Sequence, residues 1–270
     1  MATKKDTAKP KAKKAATPKS DSKGAPKPKA ADKGGAKASA ALYSSVVALT
    51  SANHSDMKLA RKPDYGFASG LSSIVLGLSE FPAAAMHYPI VFAKQGHDLL
   101  PFVVTGYAPG ENQFVDGKGN WREDVYLPAF VRRYPFILMA SPDGKEYSLC
   151  VDQDSSLVGT KSGEAIFDEG EPSAAAKRAI TFCKSFQDEM DRTAKLCKQI
   201  EDADILNDRS AQLTLPDGSK STVTGFKLVD EQKLNALDEK TFVELRDSGV
   251  LSMIYCHLLS TRVWKNLLAG

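Results

Sequence analysis

PSAAAKRAITFCKSFQDEMDRTAKLCKQIEDAD, from Pro172 to Asp204, divides the chain into two kinds of sequence. Apolar or small residues recur in it at Ala176, Ile180, Cys183, Phe186, Met190, Ala194, Cys197 and Ile200. That three-and-four spacing brings them to one face of an α-helix. It predicts a single long amphipathic helix with Pro172 in its first turn. A stripe of this kind reads as a packing seam for the core.

On the N-terminal side the period is different. VVALT (Val46 to Thr50), SSIVLGL, YPIVFA, PFVVTGY, PFILMA and EYSLCVD are short β-branched or aromatic runs bounded by Gly, Pro, Asp or Ser, the mark of strands. EFPAAAMH reads as a short helix that starts at Ser79 and stops before Pro89. The Asp116–Gly117 step predicts a tight hairpin flanked by Phe114 and Trp121. Beyond the long helix, LTLPDGSKSTVTGFKLV predicts a hairpin turning at Pro216–Asp217–Gly218. Asp230 and Asp238 read as N-caps of two short helices, Gly249 as a helix stop, and VLSMIYCHLLSTRVWKNLL as a last helix. The fold class is therefore α+β: a mainly β N-terminal half, a long amphipathic helix, a hairpin and a helical C-terminal part.

Charge separates a tail from this body. Residues 1–41 hold 12 lysines and 3 aspartates, a balance of +9, which leaves 24 basic and 30 acidic residues, −6, over residues 42–270. After Met1 the tail has no aromatic or large aliphatic side chain. It cannot bury enough apolar surface to offset the entropy of ordering, so a disordered Lys/Ala/Pro-rich tail is expected ahead of one folded domain. Such a tail suits salt-sensitive contact with a polyanion, nucleic acid or surface polymer, and equally suits a solubilising leader without a specific partner.

The tail followed by LYSSVVAL has the outline of an export leader, but it is too long, and Ser44 and Ser45 interrupt its apolar part. The most apolar window, LSSIVLGLSEFPAAAMHYPIVFA, holds Glu80, His87, Pro82 and Pro89 and reads as soluble core rather than a membrane span. The expected location is cytoplasmic or peripheral to the cell envelope. Cys150, Cys183, Cys197 and Cys256 form no CxxC pair and read as reduced thiols.

Motifs of known chemistry are weak. GYAPGENQFVDGKGNWRED has four glycines but matches no nucleotide fingerprint. In VDQDSSLVGTKSGE, Asp152, Asp154 and Ser156 alternate as calcium ligands would, yet Leu157 stands where glycine is needed and Glu164 falls one place late. His54, His87, His97 and His257 lack metal-ligand spacing, so no metal and no cofactor is expected. His87, at a helix-to-strand junction, is retained as a site candidate.

VYLPAFVRRYPFIL, Val125 to Leu138, places Arg132 and Arg133 inside an aromatic and aliphatic run. Read as a strand, the run turns the two guanidinium groups to opposite faces. One then needs a carboxylate, with Glu111, Asp116 and Asp152 as candidates, and would staple the GEN loop to this strand. The rival reading uses Arg132 or Arg133, with Asn112, Trp121 and Tyr134, to grip a partner's carboxylate, phosphate or extended peptide.

EFPAAAMHYPIVFA, GENQFVDGKGNW, YLPAFVRRYPF, CVDQDSSLV and GEAIFDEGEPS occur in the order seen in the SapC-like family of bacterial proteins, and GFKLVDEQKLNALDEKTFVELRDSGVLSMIYCHLLS resembles that family's C-terminal segment. The resemblance runs from Leu42 to Leu268. It implies a surface-layer-related role and supplies no reaction and no catalytic residues. The expected function is thus a non-catalytic binding or accessory protein that recognises a protein or peptide partner, such as a surface-layer or export component. Two alternatives stay open: an enzyme whose pocket gathers His87, Glu111, Asp116 and the arginine pair, and polyanion binding through the tail.

Overall fold

Ser173 sets where the long helix begins. Its Oγ accepts from the amides of Ala175 and Ala176 at 3.1 and 3.3 Å and donates to the Ala165 carbonyl at 2.6 Å. With Ser173 as N-cap the helix runs Ala174–Asp202. Pro172, expected in its first turn, instead lies just outside in extended backbone paired with Phe167. The stripe faces inward as predicted, with one exception: Ile180 stays 36% exposed, while its neighbour Ala179 packs against the core.

The computed structural model describes residues 1–2, 42–141 and 147–268, so nearly all of the expected tail lies outside the described residues. In chain order the first half holds β1 (Val46–Ala48), α1 (Ser51–His54), β2 (Lys58–Leu59), β3 (Ser73–Val75), a 3-10 turn (Leu78–Glu80) running into α2 (Phe81–Ala84), β4 (Ile90–Gln95) and β5 (Asp98–Val104). Then come α3 (Ala129–Arg132), β6 (Phe136–Ala140), β7 (Tyr147–Asp152) and four two-residue strands, β8 (Val158–Gly159), β9 (Glu164–Ala165), β10 (Phe167–Asp168) and β11 (Glu171–Pro172). The second half is α4 (Ala174–Asp202), β12 (Leu206–Thr214), β13 (Lys220–Val229), α5 (Glu231–Asn235), α6 (Glu239–Asp247), α7 (Val250–Ser260) and a 3-10 turn (Trp264–Leu268).

Two antiparallel sheets carry the fold, a five-stranded one in the order β12-β13-β4-β5-β3 and a three-stranded one in the order β1-β7-β6. α4 packs on β5 of the first and β6 of the second, so its apolar seam joins the two. The hairpin β12–β13 turns at Pro216–Asp217–Gly218 as expected, with Gly218 at φ +83° and its amide donating to the Leu215 carbonyl. It is no separate unit: Lys227 of β13 pairs with Phe92 of β4 and adds two strands to a sheet begun in the first half.

Local signals decide most helix ends. Asp230 accepts from the amides of Gln232 and Lys233, Asp238 from that of Thr241, and Gly249 sits at φ +83°. The last helix stops short of its apolar pattern. Ser260 and Thr261 donate their hydroxyls to the carbonyls of His257 and Leu258, ending α7 before Trp264. The four cysteines are free, and burial pushes the Cys150 and Cys183 thiols up to about 11 and Cys197 to about 12, with Arg133 opposing the shift at Cys183.

One reading fails. VRRYPF does not start as a strand: Ala129–Arg132 is a helical turn, Arg133 continues it, and only Phe136 enters β6 after a cis Tyr134–Pro135 bond. The cause is distant in sequence. Glu80 Oε1 accepts the Ala129 amide at 2.7 Å and so takes one of the orphan donors that open the turn.

Candidate functional site

Glu80 is 5% exposed and accepts three hydrogen bonds, from the Gly77 amide at 2.7 Å, the Ala129 amide at 2.7 Å and the Tyr126 hydroxyl at 2.9 Å. A buried carboxylate needs such a set, because each unfilled lone pair would cost desolvation energy. The Tyr126 oxygen in turn accepts from Arg132 Nη2 at 3.1 Å. Burial, and then the Glu80 carboxylate, push the Tyr126 hydroxyl up to about 12.

Arg132 lies at the surface with its guanidinium 5.4 Å from the Phe182 ring centre and 5.8 Å from that of Tyr126. Phe182 comes from α4, one turn from Ser185, and Glu189 from the next turn holds the Ser79 amide at 2.6 Å. Together they enclose a small cleft of about 190 Å3 lined by Tyr126, Arg132, Phe182, Ser185 and Glu189. Among the described residues Arg132 forms no ion pair.

Arg133 is the buried member of the pair, 4% exposed, with its guanidinium 4.5 Å from the Phe186 ring centre and 4.8 Å from that of Phe130. The expected division into one inward and one outward arginine holds. It arises from neighbouring positions on a helical turn rather than from opposite faces of a strand. Tyr134 is also core: it stacks on Phe67 at 4.0 Å and donates to Asp152 Oδ2 at 3.1 Å.

The carboxylates proposed as staples are engaged elsewhere. Asp152 accepts from the amides of Ser44 and Ser45 at 3.0 and 2.9 Å, tying β1 to β7. Burial alone would push it up, but these amides outweigh that and hold it below the ordinary carboxylate range. Asp116 accepts from the amides of Lys118 and Asn120 within its own turn, and Glu111 accepts from Gln113 Nε2 at 3.3 Å. The guanidinium that fastens the GEN loop is Arg122, which donates to the Gln113 and Asn266 carbonyls and lies over the Phe114 ring. Sequence reasoning passed over Arg122, although it directly follows the hairpin residue Trp121.

Three of the candidates, Asn112, Asp116 and Trp121, line a second, wider groove of about 800 Å3 together with Arg122. Asn112 is buried, its Nδ2 donating to Ala68 O and its Oδ1 accepting from Phe114 N. His87 stands apart, half-buried, with its carbonyl accepting from Asn266 Nδ2. His87, Glu111, Asp116 and the arginine pair therefore do not converge on one pocket, which was the geometry the enzyme reading required.

Hydrogen bonds that meet at Tyr126, through its carbonyl on one side and its hydroxyl on the other, link the two clefts. Trp121 Nε1 donates to the Tyr88 hydroxyl at 3.2 Å, Tyr88 donates to the Tyr126 carbonyl, and Tyr126 reaches Glu80 and Arg132. Tyr88, Tyr126 and Glu80 were missed as site residues, and only the EFP helix start pointed toward Glu80.

Residues 49–267 match the family described as SapC. This chain belongs to the SapC family. The matched span includes both clefts and the hydrogen-bonded chain between them. No curated protein and no solved structure matches this SapC-family chain. No helix among the described residues is long and apolar enough to cross a membrane.

Proposed function

We propose that this SapC-family chain is a non-catalytic binding protein that holds a carboxylate-bearing segment of a protein or peptide partner on Arg132. The carrying observation is that an exposed guanidinium is held over two rings by a tyrosine hydroxyl and forms no ion pair among the described residues. A planar, pre-oriented guanidinium forms two parallel bonds to a carboxylate and loses little freedom in doing so. The groups nearby favour holding over reacting. Glu80 already spends its oxygens on three donors, and a hydroxyl pushed up to about 12 is a poor proton carrier near neutrality. A partner among surface-layer or export components, met in the cytoplasm or at the envelope, is the setting the family resemblance suggests.

The test is a titration of the full chain with extended peptides that carry Asp or Glu and with their Asn or Gln counterparts. The acidic member of each pair should bind at least about tenfold tighter, and Arg132→Gln should remove that preference. Equal affinity within pairs would contradict the reading. The +9 charge of residues 1–41 supports a separate contact with a polyanion. Retention on DNA should then fall steeply with salt and disappear when those residues are deleted.

A further inference from the structure

The hairpin of the five-stranded sheet is interrupted at Gly225. β12 and β13 pair along their length, but the register slips between Arg209 and Ala211, opposite Gly225 at φ +83°. A bulge with a left-handed glycine bends its strand. Past the bend, β13 leaves β4, the two strands sharing a single registered pair, Lys227 with Phe92. The free half of the hairpin is fastened at its far end, where Ser221 Oγ donates to the Tyr107 carbonyl at 2.5 Å.

This clasp leaves a cavity of about 280 Å3 between hairpin and sheet. Its floor is apolar: Val91 and Phe102 are registered partners on β4 and β5, and Ala93 and Val104 lie two residues along on the same face. Phe226 and Val223 contribute apolar side chains from β13, and the exposed residues Ser73, Thr222 and Thr224 stand at the rim. No Asp, Glu, Lys, Arg or His borders the space. An ionic ligand would find no counter-charge there, and its desolvation would go uncompensated. A neutral apolar group would instead trade water for the Val91, Phe102 and Val104 surfaces.

We propose that this cavity is a binding site for a small, neutral, predominantly apolar ligand, a single ring system or a short alkyl chain with at most one polar group left at the open rim. The volume lies just below that of drug-sized ligand pockets, which span roughly 300–1,000 Å3, and so suits a smaller molecule. The site is separate from the Arg132 cleft and stands or falls without it.

1-Naphthylamine, a single ring system that is neutral near pH 7 and whose fluorescence responds to apolar surroundings, is the probe. Titrated into the full chain, it should saturate at one per chain and be displaced by 1-octanol. Ala93→Phe, which fills the floor, and Ala108→Trp, which blocks the mouth from the loop after β5, should each weaken binding at least tenfold. Ala108 is the safer variant, because no strand packing depends on it. Tyr255→Ala and Leu259→Ala remove the exposed apolar side chains of α7, 50% and 62% exposed, and should leave the titration unchanged. A non-saturating signal would overturn the proposal. So would binding that survives Ala108→Trp in a chain that still melts cooperatively, or that falls with the α7 variants instead.

Discussion

Tyr126 donates to Glu80 through 2.9 Å, and the same hydroxyl oxygen receives Arg132 at 3.1 Å, so one phenol joins a buried acid to a surface base. The acid in turn accepts the amide that opens the helical turn carrying both arginines. Position and orientation of the exposed guanidinium thus depend on a largely buried carboxylate.

Tyr126→Phe should separate those roles. Glu80 keeps two backbone donors and loses one hydroxyl, which should destabilise the fold by about 1–2 kcal/mol. Arg132 keeps its ring contacts but loses its polar anchor, so affinity for acidic peptides should fall as well. Urea unfolding and peptide titration of the same variant check both expectations.

The arginine pair should split under alanine substitution. Arg133→Ala empties a site packed against Phe130 and Phe186 and should cost about 3 kcal/mol or more. Arg132→Ala removes a surface side chain and should change stability by no more than about 0.5 kcal/mol. Thermal melts that shift equally for the two variants would contradict the assignment of inward and outward roles.

His257 supplies a pH dependence. Its Nδ1 lies 2.8 Å from the Ile90 carbonyl and its Nε2 accepts the Val229 amide at 3.0 Å, a pattern only the neutral ring can satisfy. Burial pushes its value from the usual 6.5 down to about 4. The unfolded chain therefore takes up this proton first as pH falls. The stability His257 contributes is complete above about pH 6.5 and drains away toward pH 4, a loss of about 3 kcal/mol. Denaturant unfolding between those limits should show this slope in the native chain, and His257→Gln should flatten it.

Gly106 is required by contact rather than by φ. A Cβ there would collide with the Glu111 carbonyl, a backbone group that cannot swing away. Gly106→Ala should therefore cost about 1–3 kcal/mol and disturb the GEN loop. Gly117, where an added Cβ meets nothing within 4 Å, should accept alanine within about 0.5 kcal/mol. Parallel melts of the two variants decide the point.

What was legible in the sequence was mostly local. Asp230 and Asp238 announce their helices because the capping carboxylate and the amide it receives lie two or three residues apart. The Pro216–Asp217–Gly218 turn and the α4 stripe are equally self-contained. Pairing across distance was not legible. Nothing near Lys227 says that its partner is Phe92, and nothing near Ala129 says that Glu80 will bend VRRYPF into a helical turn. The arginines show the same boundary: adjacency implied different surroundings for them, but only the packing of Phe186 against α3 selects Arg133 as the inward one.

The most direct test of the central claim is covalent capture at the Arg132 cleft. A photo-reactive amino acid at Ser185, on the cleft wall, is introduced into the full chain in its native cells, with and without Arg132→Glu. Illumination should yield one dominant protein adduct in the first case and none in the second, at equal abundance and melting temperature. The same adduct from both chains would show that the guanidinium does not recognise the partner and would contradict the account.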